Sequence, residues 1–121
     1  MRILVVDDEQ AICDALTKFL TKKGHEVSAV QRGEEAITKV KEEKPHIVLL
    51  DIRMPGIDGI ETLKRIREID KEVGIIMITA VIDDETGKKC MELGAYDYIT
   101  KPLSLDYLEN VLMVKLLDFG A

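Results

Sequence analysis

Three short apolar runs, Ile3 to Val6, Ile47 to Leu50 and Ile75 to Ile78, contain no polar residue. A strand with water on one face alternates apolar and polar side chains, whereas a strand without polar positions is buried on both faces. Such strands belong to a parallel sheet with helices above and below it. Glu26 to Val30 and Ala95 to Ile99 interleave polar residues, which suits the rims of that sheet. The first, third and fourth strands are therefore read as central, the second and fifth as edges.

Between these runs the apolar residues return with helical spacing. Ile12, Leu16, Phe19 and Leu20 mark a first helix ended by Gly24, and Ala36, Ile37 and Val40 a second ended before Pro45. Ile60, Leu63, Ile66 and Ile69 mark a third. A weaker run from Glu85 to Leu93, ended by Gly94, is the fourth. Leu105, Leu108, Val111 and Leu112 mark a fifth, starting at Ser104 or just before it. Five alternating strands and helices with short connections make a doubly wound α/β domain. Right-handed crossovers with these central and edge strands fit the strand order 2-1-3-4-5. No repeat or linker interrupts the pattern, so residues 1–121 are read as one domain.

Composition removes several classes of function. Acidic residues number 23 against 17 basic ones, a formal charge of −6, while duplex nucleic acid is gripped by clustered Lys and Arg. Direct nucleic-acid binding by this domain is not expected. No apolar run approaches the roughly 20 residues of a membrane span. The chain also enters strand-like sequence at once, without the core of a signal peptide. A cytoplasmic protein is the expectation. Cys13 and Cys90 lie far apart in helical patterns and read as small core residues, not as a disulfide or metal cluster.

In such folds ligands bind beyond the carboxyl ends of the strands, beside the point where strand order reverses. Here that point lies between the first and third strands. Asp7-Asp8-Glu9 leaves the first strand and Asp51 the third, while the fourth delivers Thr79-Ala80 and the fifth Thr100-Lys101-Pro102. Asp7, Asp8, Asp51 and Lys101 together carry a formal charge of −2. Crowded carboxylates repel unless a cation joins them, and oxygen-only ligands favour a hard ion, Mg²⁺ where phosphate chemistry follows. Each residue alone has a plainer role. Asp7 or Asp8 suits the cap of the first helix, Thr79 suits a strand by its β-branch, and Lys101 suits the surface. A carboxylate directly after an all-apolar central strand, however, is costly without partners, which singles out Asp51. Asp58-Gly59 reads as a turn and helix cap, His25 and His46 as surface residues, and Tyr96 as an edge-strand tyrosine with its hydroxyl in water.

Asp7-Asp8-Glu9, Leu50-Asp51-Ile52-Arg53-Met54-Pro55 with Asp58-Gly59, Thr79-Ala80, and Gly94 to Pro102 closely resemble the receiver domain of two-component response regulators. The resemblance runs in order along essentially the whole chain, with four motifs at the ends of four strands. It implies a flavodoxin-like, CheY-like fold and a phosphorelay role. Asp51 would accept a phosphoryl group from a sensor histidine kinase or a histidine phosphotransfer protein. Asp7, Asp8, Asp51 and the backbone carbonyl of Arg53 would hold Mg²⁺, with Mn²⁺ as a substitute. Lys101, aimed by a cis bond to Pro102, and the Thr79 hydroxyl would contact the phosphoryl oxygens, and Tyr98 would be the switch aromatic. The output partner is unnamed; the surface of the fourth helix, fifth strand and fifth helix would carry it, or a homodimer. Arg53 and Val81 would flank the path of the hydrolytic water, and Val81 offers no polar atom to orient it. A phosphoacceptor with slow autodephosphorylation follows, not a turnover enzyme.

Two other classes fit less well. Phosphatases with an Asp nucleophile resembling haloacid dehalogenases place a second Asp two residues later, where this chain has Arg53. A flavin or dinucleotide module needs a Gly-rich loop after the first strand, where Asp7-Asp8 would repel a pyrophosphate. Within the receiver reading, a stand-alone domain is expected, the alternative being the N-terminal receiver of a larger DNA-binding transcription regulator. The late apolar run of the last helix, including Leu116, Leu117 and Phe119, suits either a partner surface or such a continuation.

Overall fold

The computed structural model describes residues 1–80 and 83–118, with side chains up to residue 115. Val81, Phe119 and the side chains of Leu116 and Leu117 lie outside the described residues. Strands β1 (Arg2–Val6), β2 (Glu26–Val30), β3 (Ile47–Leu50), β4 (Gly74–Thr79) and β5 (Asp97–Thr100) alternate with helices α1 (Gln10–Lys22), α2 (Gly33–Glu43), α3 (Gly59–Ile69), α4 (Asp84–Glu92) and α5 (Leu105–Asp118). The sheet is parallel throughout, in the order β2-β1-β3-β4-β5. Among the described residues no helix is long and apolar enough to cross a membrane.

The all-apolar strands are buried on both faces for the reason their sequences give. Successive side chains point to opposite sides of a pleat. Leu4, Val6, Val48, Leu50, Ile75 and Met77 pack with residues of α2, α3 and α4, and Ile3, Val5, Ile47, Leu49, Ile76 and Ile78 with residues of α1 and α5. Each fully buried Leu or Ile contributes about 1.5–3 kcal/mol. Both cysteines are free and buried, one in each layer. Helix α4 is the weakly anchored element: Cys90 is its one buried residue.

Helix ends follow local chemistry. Asp58 caps α3 by accepting from the Glu61 N–H at 2.9 Å, Asp83 caps α4 through the Glu85 N–H at 3.0 Å, and the Ser104 hydroxyl accepts from the Tyr107 N–H at 3.2 Å. Three readings need correction. The fifth strand is Asp97–Thr100 and not Ala95–Ile99, because Ala95 is spent closing α4, its N–H donating to the Cys90 carbonyl at 3.0 Å. Tyr96 therefore precedes the strand, half-buried, with the Lys115 ammonium 4.3 Å from its ring centre. His25 and His46 are half-buried as well, and the Nδ1 of His46 accepts from the Arg2 N–H at 2.9 Å.

Candidate functional site

Strand register assembles the site. Val6 lies opposite Leu50 and Leu50 opposite Met77, so the residues that follow β1 and β3 emerge side by side. Backbone bonds continue the ladder past the strand ends: Asp7 N–H to Val30 O at 3.2 Å, Asp51 N–H to Val6 O at 3.0 Å, Lys101 N–H to Thr79 O at 2.8 Å. Gly59 seals the floor, since a Cβ there would collide with the Asp51 carbonyl, and its N–H donates to Ile52 O at 2.7 Å. Only glycine lets α3 start so close behind Asp51.

Asp7 and Asp51 are buried, at 3% and 6% exposure, and Asp8 is exposed. One oxygen from each of the three carboxylates lies within 4.8 Å of the others. The Lys101 ammonium donates to Asp7 Oδ2 at 2.9 Å and to Asp51 Oδ2 at 3.2 Å. The remaining oxygens take backbone donors, Asp7 Oδ1 from Glu9 N–H at 2.9 Å and Asp51 Oδ1 from Arg53 N–H at 3.3 Å. The Lys101–Pro102 peptide bond is cis. Thr79 ends β4 fully buried, and Ala80 beside it is exposed. Tyr98 sits two residues inside the end of β5, half-buried against the α4 side of the sheet. Neither Asp7 nor Asp8 caps α1, whose N-cap is Glu9.

The electrostatics are those of a charge excess held by one cation. Burial pushes the Asp7 carboxyl above its ordinary value; the Glu9 N–H and the Lys101 ammonium oppose this, and the Asp51 charge adds to it. Burial also works against the Lys101 charge, but its bonds to Asp7 and Asp51, and their charges, outweigh burial and hold the ammonium above its ordinary range. Three clustered carboxylates with hard oxygen donors fit Mg²⁺, which tolerates such ligands and compensates their charge. The sequence pattern missed Glu9 as a partner: its Oε1 accepts from Lys101 at 3.3 Å. The one local signal is a Glu at a helix start where Ser, Thr, Asp or Asn is preferred.

An open parallel sheet of order 2-1-3-4-5, with an acidic triad and a lysine at the reversal of strand order, defines a doubly wound domain built around a charged site. The chain belongs to the response regulator receiver domain family, whose model matches residues 3–113. It is similar to the alkaline phosphatase synthesis transcriptional regulatory protein PhoP of Bacillus subtilis, with 44% identity over 104 residues, covering 85% of this chain and 43% of PhoP. Among solved structures, a two-component response regulator from Clostridium difficile superposes with a TM-score of 0.96 at 28% identity, covering 100% of this chain and 99% of that one. The BeF3-activated receiver domain of Klebsiella pneumoniae RstA gives 0.90 at 30% identity, covering 96% and 98%. The chain spans less than half the length of the curated relatives it matches.

Proposed function

We propose that Asp51 accepts a phosphoryl group from the phosphohistidine of a sensor kinase or a histidine phosphotransfer protein. An Asp51 oxygen forms the new bond to phosphorus, the phosphorus–nitrogen bond breaks, and its electron pair stays on the departing imidazole. A carboxylate is ionised at neutral pH and needs no base for this step. The observation that carries the reading is the placement of Asp51: buried at the end of a central strand, with Asp7 and Asp8 beside it and Lys101 at 3.2 Å. Asp7, Asp8, Asp51 and the Arg53 carbonyl are the residues that would hold Mg²⁺, which when bound neutralises charge on the transferring oxygens. Lys101 stabilises one phosphoryl oxygen, and the Thr79 hydroxyl donates to another. Tyr98 reports the change to the surface of α4, β5 and α5, where Met91, Tyr107 and Val114 are exposed and a partner or second copy docks. Slow loss of the phosphoryl group and a cytoplasmic location belong to the same reading.

The test is incubation with a small phosphodonor and Mg²⁺, read by intact mass. One added phosphoryl group is expected, absent in Asp51→Ala and absent without a divalent cation. A gain that persists in Asp51→Ala removes the assignment. A second reading, favoured by relatives that are by name transcriptional regulatory proteins matching along 43% and 44% of their length, is that the switched surface controls a DNA-binding segment of a longer protein.

A further inference from the structure

Glu9, the N-cap of α1, stands at the mouth of this site with a side chain that makes no capping hydrogen bond to its own helix. That is an unfavourable choice, because shorter side chains at this position stabilise a helix by about 1 kcal/mol. Instead it pairs with Lys101 at 3.3 Å, across 92 residues of sequence. Three carboxylates thus share one ammonium, and they differ in kind. Asp7 and Asp51 are almost fully buried, 4% and 6% exposed in their side chains, while Glu9 is 61% exposed. Asp7 and Asp51 also belong to the acidic triad, so a divalent cation there would draw on the same two carboxylates that hold Lys101. Glu9 is outside that triad. It is the partner that remains for Lys101 once the triad is committed to a cation.

We propose that Glu9 is a positioning residue for Lys101, holding its ammonium at the mouth of the site and competing for it with a phosphoryl group on Asp51. The inference rests on the phosphoacceptor reading above and deepens it. Without Glu9 the ammonium is free to serve the phosphoryl oxygens, so the phosphorylated state gains. With Glu9 the unphosphorylated state is favoured, and occupancy of the switch is set lower for a given donor.

The experiment titrates Mg²⁺-saturated protein with beryllofluoride, a phosphoryl mimic, by calorimetry. Glu9→Gln is expected to bind it about two- to fivefold more tightly, the contribution of a half-exposed ion pair. Asp14→Asn removes the same charge further along α1, where Asp14 pairs with Gln10 and not with Lys101, and is expected to leave affinity unchanged. Glu9→Ser restores a capping side chain, so it should tighten beryllofluoride binding as Glu9→Gln does while its thermal midpoint stays level or rises. Unchanged or weaker binding in Glu9→Gln overturns the proposal. So does an equal gain in Asp14→Asn, which would reveal general repulsion of the anion. Wild-type protein that binds no beryllofluoride in Mg²⁺ overturns the phosphoacceptor reading itself, and the proposal with it.

Discussion

The two ends of the sheet handle charge in opposite ways. At the amino end, two arginines meet neutral acceptors. The Arg2 guanidinium donates to the carbonyls of Glu43 at 3.2 Å and Lys44 at 2.9 Å. Half-buried Arg67 donates to the Gly94 carbonyl at 3.0 and 2.7 Å and reaches those of Asp70 and Val73. At the carboxyl end, Asp7, Asp51 and Glu9 converge on the single ammonium of Lys101, with Asp8 beside them. Charged donors on carbonyls stabilise the fold whatever is bound. Surplus carboxylates leave a site whose energy depends on what binds next. One end is built to stay as it is, the other to change.

The sharpest way to break that contrast is at Arg67. It ties the end of α3, the turn into β4 and the glycine that closes α4, where Gly94 takes a φ of +104°. Arg67→Met leaves those carbonyls without their donor and should cost about 2–4 kcal/mol in urea unfolding. Mg²⁺ affinity should stay within error, because nothing at the carboxyl end moves. A loss under about 0.5 kcal/mol, the scale of an ordinary surface change, would mean that water replaces the guanidinium at little cost.

Arg67 also marks what a sequence can and cannot reveal. The central strands were legible because burial on both faces leaves a run such as Ile47-Val48-Leu49-Leu50, too short for a buried helix and rich in β-branched residues. The acidic site was legible because strand ends in this topology gather at one place, so Asp7, Asp8, Asp51 and Lys101 could be brought together from position alone. Contacts made by long side chains were not. Arg67 to Gly94 spans 27 residues and Lys101 to Glu9 spans 92, and neither pairing leaves a periodic trace. The start of β5 was misplaced for a related reason. Tyr96 and Tyr98 alternate as strand residues do, but the backbone of Ala95 is already engaged in ending α4.

The second prediction sharpens the contrast from the other end. Asp8 is the exposed member of the triad, so Asp8→Asn removes repulsion without emptying a packed space. Metal-free protein should gain about 1 kcal/mol, the size of a repulsion between solvated charges roughly 4 Å apart. The stabilisation that Mg²⁺ confers on the wild type should be largely lost, as thermal melts with and without the ion would show. The pH dependence has a definite sign. Asp7 is held above its ordinary 3.8 in the fold, so stability tied to its neutral form is present below that value and is lost as pH rises through the raised one. Acidification through that range discharges Asp7, and the gap between Asp8→Asn and the wild type should close. A gap that is constant with pH, or a metal-free mutant less stable than the wild type, would count against a strained acidic end.

The smallest effect is expected between the two ends, on α4. Gly87 occupies its fourth position, where glycine is less favourable than alanine by about 0.8–1.0 kcal/mol. Its N–H is already in the helix, donating to the Asp83 carbonyl at 3.0 Å, so the backbone makes no demand that only glycine meets. A Cβ at Gly87 would lie 3.6 Å from the Tyr98 ring, an ordinary contact that displaces nothing. Gly87→Ala should therefore stabilise α4 by about 0.5–1 kcal/mol. With Cys90 as the one buried residue of the helix, that is a large share of its local stability, and hydrogen exchange over residues 85–93 should slow by up to about fivefold. The added methyl also packs the Tyr98 ring where it lies, so a ring that must move on phosphorylation would move less readily, and the mass gain at Asp51 should saturate at a higher donor concentration. Exchange that is unchanged or faster in the alanine variant would show that α4 is held by its contacts with β5 and not by its own helical propensity.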